Sequence, residues 1–273
     1  HLKTKDVEFY LSDGVASFSR EDGLLNVTLQ SGKVMPTDMV ILSIGVRPEG
    51  RLARESGLDV GKLGGIRVDP HMQTNDPDIY AVGDAIEFPN PITGQPAITY
   101  LAGPANKQGR IVADNIAFGN GSQYRGAIGT AVAKVFDLTV ATTGVSEKTL
   151  RRENIPFETV ITHSSSHAGY YPGATAMSMK TIFNPDTGRV LGAQIVGYEG
   201  VDKRIDLVGA VIRQNGTVWD LGELEHAYAP PYSSAKDPVN IAGFVAQNVL
   251  RGASKHIHWH QVMGCDLDEM MLV

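Results

Sequence analysis

Three groups of residues have the types and spacing that could carry chemistry. The first is TNDPDIYAVGDA, residues 74–85. Its centre, Ile79, Tyr80, Ala81 and Val82, reads as a short buried strand. Gly83 then lacks a side chain where a ligand would approach the backbone, and Asp84 stands at the strand's carboxyl end. Ligands of open α/β sheets bind at that edge, and a carboxylate there can accept two hydrogen bonds from sugar-like hydroxyls. The same string also fits a strand ending in a turn aspartate that caps the next segment. The second group is two loops rich in Tyr and Pro, HAGYYPGA with Tyr170 and Tyr171, and HAYAPPYSSAKDP with Tyr228, Tyr232 and Lys236. A phenol has a pKa of about 10, so it stays neutral near pH 7 and can donate a hydrogen bond or a proton. Tyrosine in a loop is also a common interface residue, a role open to Tyr171 and Tyr232 above all. The third group is cationic. Lys203 and Arg204 end GYEGVDKR at a helix start and Lys236 precedes another helix, where they could meet phosphates or simply be solvated.

His256, His258 and His260 alternate, which on a strand would put three imidazoles on one face, with Cys265 near. No further cysteine appears and the segment reads as a linker, so no metal is expected there.

These groups need a folded frame, and 273 residues are enough for one large or two ordinary domains. Charged residues make up 20% and apolar ones 42%, which is globular rather than disordered. A net charge of −6 argues against a chain built to coat nucleic acid. No apolar stretch approaches the ~20 residues of a membrane helix, and HLKTKDVEFY has no signal-peptide pattern. With one cysteine there is no internal disulfide framework, so a soluble cytoplasmic protein is expected. Glycine, at 30 residues, is over-represented.

Strands are expected at residues 7–11, 15–19 and 24–29, the last two joined by the turn Glu21, Asp22, Gly23. Residues 38–45 form a nearly continuous apolar run, as in a strand buried on both faces. A short helix over 52–56 stops at Gly57, and Ile66, Arg67 and Val68 alternate. A helix over 104–117 has Pro104 in its first turn, Gly119 after its end, and Ile111, Val112 and Ile116 on its apolar side. The polar residues 120–125 make the best boundary. Beyond it the texture is α+β: strands at 132–135 and 138–142, a helix capped by Ser146, a hairpin of 175–183 with 190–196 across NPDTG, a helix carrying Val201, Ile205, Val208 and Ile212 and closed by Gly216, and a last helix from Asp237 and Pro238 to Gly252.

Residues 74–85 resemble the second flavin motif of the pyridine nucleotide-disulfide oxidoreductases, in which the aspartate binds the ribityl chain of FAD. LAGPANKQGR resembles the segment whose helix N-terminus faces the flavin pyrimidine ring, which implies FAD contacts at Gly83, Asp84, Ala102 and Gly103 and a substrate contact at Asn106. A plain packing helix would also satisfy that segment. HAYAPPYSSAKDP resembles coenzyme A-disulfide reductases, in which tyrosines replace the usual His and Glu pair. The resemblance implies that Tyr170 and Tyr228 assist a departing thiolate and that Lys236, Lys203 and Arg204 bind coenzyme A. The fold implied is α/β with α+β: residues 1–46 end an NAD(P)H-binding domain, 47–121 are the C-terminal part of an FAD-binding domain, 122–251 a dimerisation domain with an antiparallel sheet, and 252–273 a linker and truncated start of a rhodanese-like domain. No GxGxxG occurs, and the family's redox cysteine has no counterpart here. The expectation is a fragment of a homodimeric enzyme using FAD and NAD(P)H to reduce a coenzyme A disulfide or persulfide. The alternatives are an NADH oxidase or peroxidase of the same architecture, or a noncatalytic dimerisation and flavin-binding module.

Overall fold

The structure, a computed structural model, describes residues 1–21, 23–254 and 256–262. Asp22 of the expected turn, the His260 side chain, Cys265 and the DLDEMMLV tail lie outside the described residues. The chain divides into two compact units between Arg47 and Pro48.

The first unit opens with a 3-10 turn, Leu2–Lys5, followed by an antiparallel sheet β1-β2-β3 made of Val15–Glu21, Leu24–Leu29 and Val34–Thr37. Gly23 turns the first hairpin at φ 84°, a conformation that favours glycine. Residues 7–11 form no strand, contrary to their β-prone composition. The larger departure is at residues 38–45, which are not a strand and expose Met39, Ile41, Leu42 and Ile44, the last by 88%. A strand buried on both faces needs a neighbour along each edge and a layer on each side. None of the strands described in this unit pairs with the run.

In the second unit, α1 (Arg51–Glu55) ends before Gly57 at φ 80°. β4 (Ile66–Arg67) pairs in parallel with β5 (Ile86–Pro89), which pairs antiparallel with β6 (Pro96–Ala97). The expected strand at 79–82 is reduced to one bridge between Tyr80 and Gln73, with Ile79 and Val82 exposed. Its apolar run has no parallel neighbour to extend the pairing. Gly83–Ala85 instead makes a 3-10 turn into β5. α2 (Ala102–Phe118) follows and ends at Gly119, φ 83°. Ile111 and Val112 pack beside buried Met72, Ile86 and Tyr124, but Ile116 is exposed, because the buried side of the helix there carries Asn115.

The remainder is a five-stranded, wholly antiparallel sheet in the order β7-β8-β11-β10-β9, made of Ala131–Val135, Leu138–Gly144, Glu158–Ser165 (β9), Ala176–Phe183 (β10) and Val190–Gly197 (β11). α3 (Glu147–Arg152) starts at Ser146, whose hydroxyl accepts from the Thr149 amide. α4 (Val201–Arg213) packs on β8 and β11, α5 (Val218–Glu223) on α6 (Pro238–Leu250), and α6 on β9 and β10. Val201, Ile205, Val208 and Ile212 all point into this core, as their spacing predicts. Past the end of α4, Asn215 takes the left-handed conformation at φ 57°, and the Gly216 amide closes the helix on the Val211 carbonyl at 2.8 Å. α6 has Asp237 as N-cap and Pro238 in its first turn. A last turn, α7 (Trp259–Val262), closes the described chain. No helix among the described residues is long and apolar enough to cross a membrane.

Candidate functional site

Two constellations stand out in the second unit. The first joins the Gly83 turn to the start of α2. Gly83 has φ 75°, and its N–H donates to the side-chain carbonyl of Gln108 at 2.7 Å. Gln108 is itself 3% exposed, so the turn is pinned from inside the helix. Asp84 then projects from the turn with its carboxylate exposed. Leu101 is the N-cap of α2 and offers no side-chain hydrogen bond, so the helix start keeps its unpaired amides and the positive end of its dipole. Ala102 and Gly103 are exposed there, and Asn106 donates to the Ala102 carbonyl at 2.9 Å, one turn back. A carboxylate for hydroxyls and amides for an electron-rich ring therefore lie on adjoining elements, a fit to the ribityl and pyrimidine portions of a flavin. Gln108 and Asn115 escaped sequence reasoning. Asn115 donates to the His71 and Ser122 carbonyls and accepts from the Ser122 amide, fixing the far end of the helix. Both are polar residues on an otherwise apolar stripe, the one signal that could have marked them.

The second constellation is built from the two tyrosine loops. The Tyr170 and Tyr228 hydroxyls are hydrogen-bonded at 3.0 Å, with the residues 77% and 47% exposed. The shared hydrogen bond, with a smaller part from desolvation and mutual repulsion of the ionised forms, raises the Tyr170 pKa above its ordinary value. Tyr170 thus holds its proton at neutral pH. Tyr171 stands edge-on to the buried His167, ring centroids 5.8 Å apart. Tyr232 points outward, and its backbone carbonyl accepts from the Lys203 ammonium at 2.9 Å. Burial, then the neighbouring Arg204 charge, lowers the Lys203 pKa. Lys236 is exposed.

Beneath these loops lies an ion pair. Arg204, expected to meet phosphates, is 0% exposed; this corrects that expectation, because its donors are already engaged. Its Nε donates to Asp237 at 3.0 Å, and its Nη2 to Asp237 at 2.8 Å and to the Ser166 carbonyl at 2.8 Å. Nη1 reaches the Gly200 carbonyl at 3.0 Å, and the Ser233 hydroxyl donates to Asp237 at 2.5 Å. Burial alone would raise the Asp237 pKa, but the hydrogen bonds from Arg204 and Ser233 outweigh it and hold the carboxyl below its usual range. Ser166 begins one tyrosine loop and Ser233 belongs to the other, and the Ala168 amide donates to the Ser233 carbonyl at 3.0 Å. The buried pair therefore sets where both loops leave the core. His226 lies against this pair, Nδ1 4.0 Å from Asp237, and burial lowers its pKa.

Comparison with known proteins gives a consistent picture. Residues 1–109 match the pyridine nucleotide-disulphide oxidoreductase family, and residues 130–238 match its dimerisation domain. A coenzyme A disulfide reductase of Staphylococcus epidermidis is 36% identical over 81% of this chain and 50% of that protein. Among solved structures, reduced Bacillus anthracis CoADR-RHD has a TM-score of 0.93 and 52% identity, over 97% of this chain and 47% of the other. A NAD-dependent persulfide reductase from A. fulgidus has a TM-score of 0.92 and 38% identity, over 97% and 49%. The chain spans about half the length of the relatives it matches. With both family segments in order along one chain and the fold retained, this chain belongs to the pyridine nucleotide-disulphide oxidoreductase family.

Proposed function

We propose that the chain supplies the flavin-facing and dimerisation elements of a cytoplasmic homodimeric flavoprotein that reduces a coenzyme A disulfide or persulfide at the expense of NAD(P)H. The reading assigns residues 1–46 to the end of an NAD(P)H-binding domain, 47–121 to the C-terminal part of an FAD-binding domain, 122–251 to a dimerisation domain, and 252–273 to a linker and the truncated start of a rhodanese-like domain. The observation that carries it is the exposed pair of phenols, Tyr170 and Tyr228, joined at 3.0 Å. The names of the similar proteins, a coenzyme A disulfide reductase and a persulfide reductase, support the substrate class.

FAD, when bound, relays two electrons between nicotinamide and disulfide. In this reading Asp84 holds the ribityl hydroxyls, and the first amides of α2, at Ala102 and Gly103, face the pyrimidine ring. Asn106 lies one turn further along the same helix, toward substrate. A thiolate from a cysteine outside this chain attacks one sulfur of the disulfide, the S–S bond breaks, and coenzyme A departs as a thiolate. The Tyr170 and Tyr228 pair donates one hydrogen bond to that sulfur and delivers the proton that makes it a thiol. Two phenols sharing one hydrogen bond leave a second proton free to point at substrate. Lys203 and Lys236 supply charge for the phosphates, whereas Arg204 holds the loops.

Tyr228→Phe in the full-length protein is expected to cut coenzyme A disulfide turnover by about 100-fold, with the flavin absorbance unchanged. Unchanged turnover overturns the tyrosine assignment. Wild-type protein that consumes NAD(P)H with oxygen but leaves the disulfide intact overturns the reading in favour of an oxidase.

A further inference from the structure

The alternating histidines after α6 acquire a partner that their sequence neighbourhood does not contain. His258 Nε2 lies 3.0 Å from Glu158 Oε1, and His256 Nε2 lies 3.5 Å from the same oxygen. The ligating atoms of the three residues all fall within 4.8 Å of one another. Glu158 opens β9, an outer strand of the five-stranded sheet, and is registered opposite Phe183 of β10. The His258 amide is held by the Gln261 side chain at 2.7 Å, so the histidine segment is fixed from its own side as well.

We infer that Glu158, His256 and His258 form a binding site for a borderline transition-metal cation, Zn2+ foremost, which fastens the segment after α6 to the edge of the sheet. Zinc bonds of about 2.0–2.2 Å to imidazole nitrogen and carboxylate oxygen place neighbouring ligand atoms roughly 3.4 Å apart in a tetrahedron. The two carboxylate-to-imidazole distances, 3.0 and 3.5 Å, bracket that spacing. Two imidazoles and one carboxylate suit zinc, and disfavour calcium and magnesium, which require mostly oxygen. Lys180 and Arg151, which line the cleft, are paired with Glu147, so the Glu158 carboxylate meets only the Thr159 amide, at 2.8 Å, and the two histidines among the contacts described. All three side chains are about 30% exposed and the cleft at Glu158 and His258 opens to solvent, so water completes the fourth position. An imidazole must be unprotonated to ligate a metal, so binding competes with protons and weakens in acid. Bound, it ties together residues about a hundred positions apart and covers an edge strand.

The test is calorimetric titration of the chelator-stripped full-length protein with Zn2+ alone, at neutral pH and again in acid. One equivalent bound with micromolar or tighter affinity at neutral pH, and weaker binding in acid, is expected. His258→Ala and Glu158→Gln should each weaken it by more than the roughly 10- to 100-fold lost when an outer-shell partner is removed. His163→Ala, an exposed histidine on the same strand, should bind as wild type. In the unaltered protein, Zn2+ should shield His256 and His258 from diethylpyrocarbonate, read by mass spectrometry. No stoichiometric binding, binding undiminished in both variants, or unshielded histidines in the zinc-loaded protein each overturns the site.

Discussion

Residues 38–45 and β11 are both short apolar runs, yet their fates are opposite. In β11, Ile195 is buried completely, between β8 and β10 and under α4. In the other run Ile44 is 88% exposed and joins no strand. The difference is not in the β-branched content of the runs, since each has three Ile or Val among eight residues. It lies in whether backbone partners exist on either side, because an extended segment gains from burial only after its N–H and C=O groups are paired. Hydrophobic patterning is therefore a statement about required neighbours, and it specifies a strand only where they are supplied.

Three experiments press on this contrast. The largest effect is expected at Arg204→Met, which strips Asp237 of its buried partner on α4, the helix that covers β11. About 3–5 kcal/mol of stability should be lost, read from the urea midpoint. A loss below about 1 kcal/mol would mean that the pair is dispensable to that cover. Next, Ile195→Ala should cost about 2–5 kcal/mol, whereas Ile44→Ala should stay within about 0.5 kcal/mol. Equal costs would erase the distinction drawn between the two runs. The smallest effect is a pH dependence. The His226 pKa lies below its unfolded value near 6.5, so the unfolded chain takes up this proton first as pH falls. Its contribution is complete above about 6.5 and declines through the lower folded value. The acid-side loss should be shallower in His226→Gln than in wild type, and identical slopes would place the titration elsewhere.

Much of the sheet domain was legible because its signals are local. Ser146, Asp237 with Pro238, the four-residue stripe on α4 and the NPDTG turn each act within a few positions. β9 and α5 escaped, the former because its alternation is broken by Thr and Ser residues whose burial depends on β10. In the candidate site the motifs located Asp84, Tyr170 and Tyr228, but they could not reveal that Tyr170 and Tyr228 touch across 58 positions. Arg204 was misread for a similar reason. A cation at a helix start looks available to phosphates until Asp237, 33 residues later, folds over it. Glu158 and the histidines, 100 residues apart, lie beyond any sequence window.

The Arg204 and Asp237 pair also makes the tyrosine loops fail together. Because Ser166, Ser233 and the first turn of α6 all hang on one carboxylate and one guanidinium, a perturbation cannot slacken one loop while sparing the other. The spacing of the phenols should then persist almost unchanged up to the point of melting and vanish in a single cooperative step.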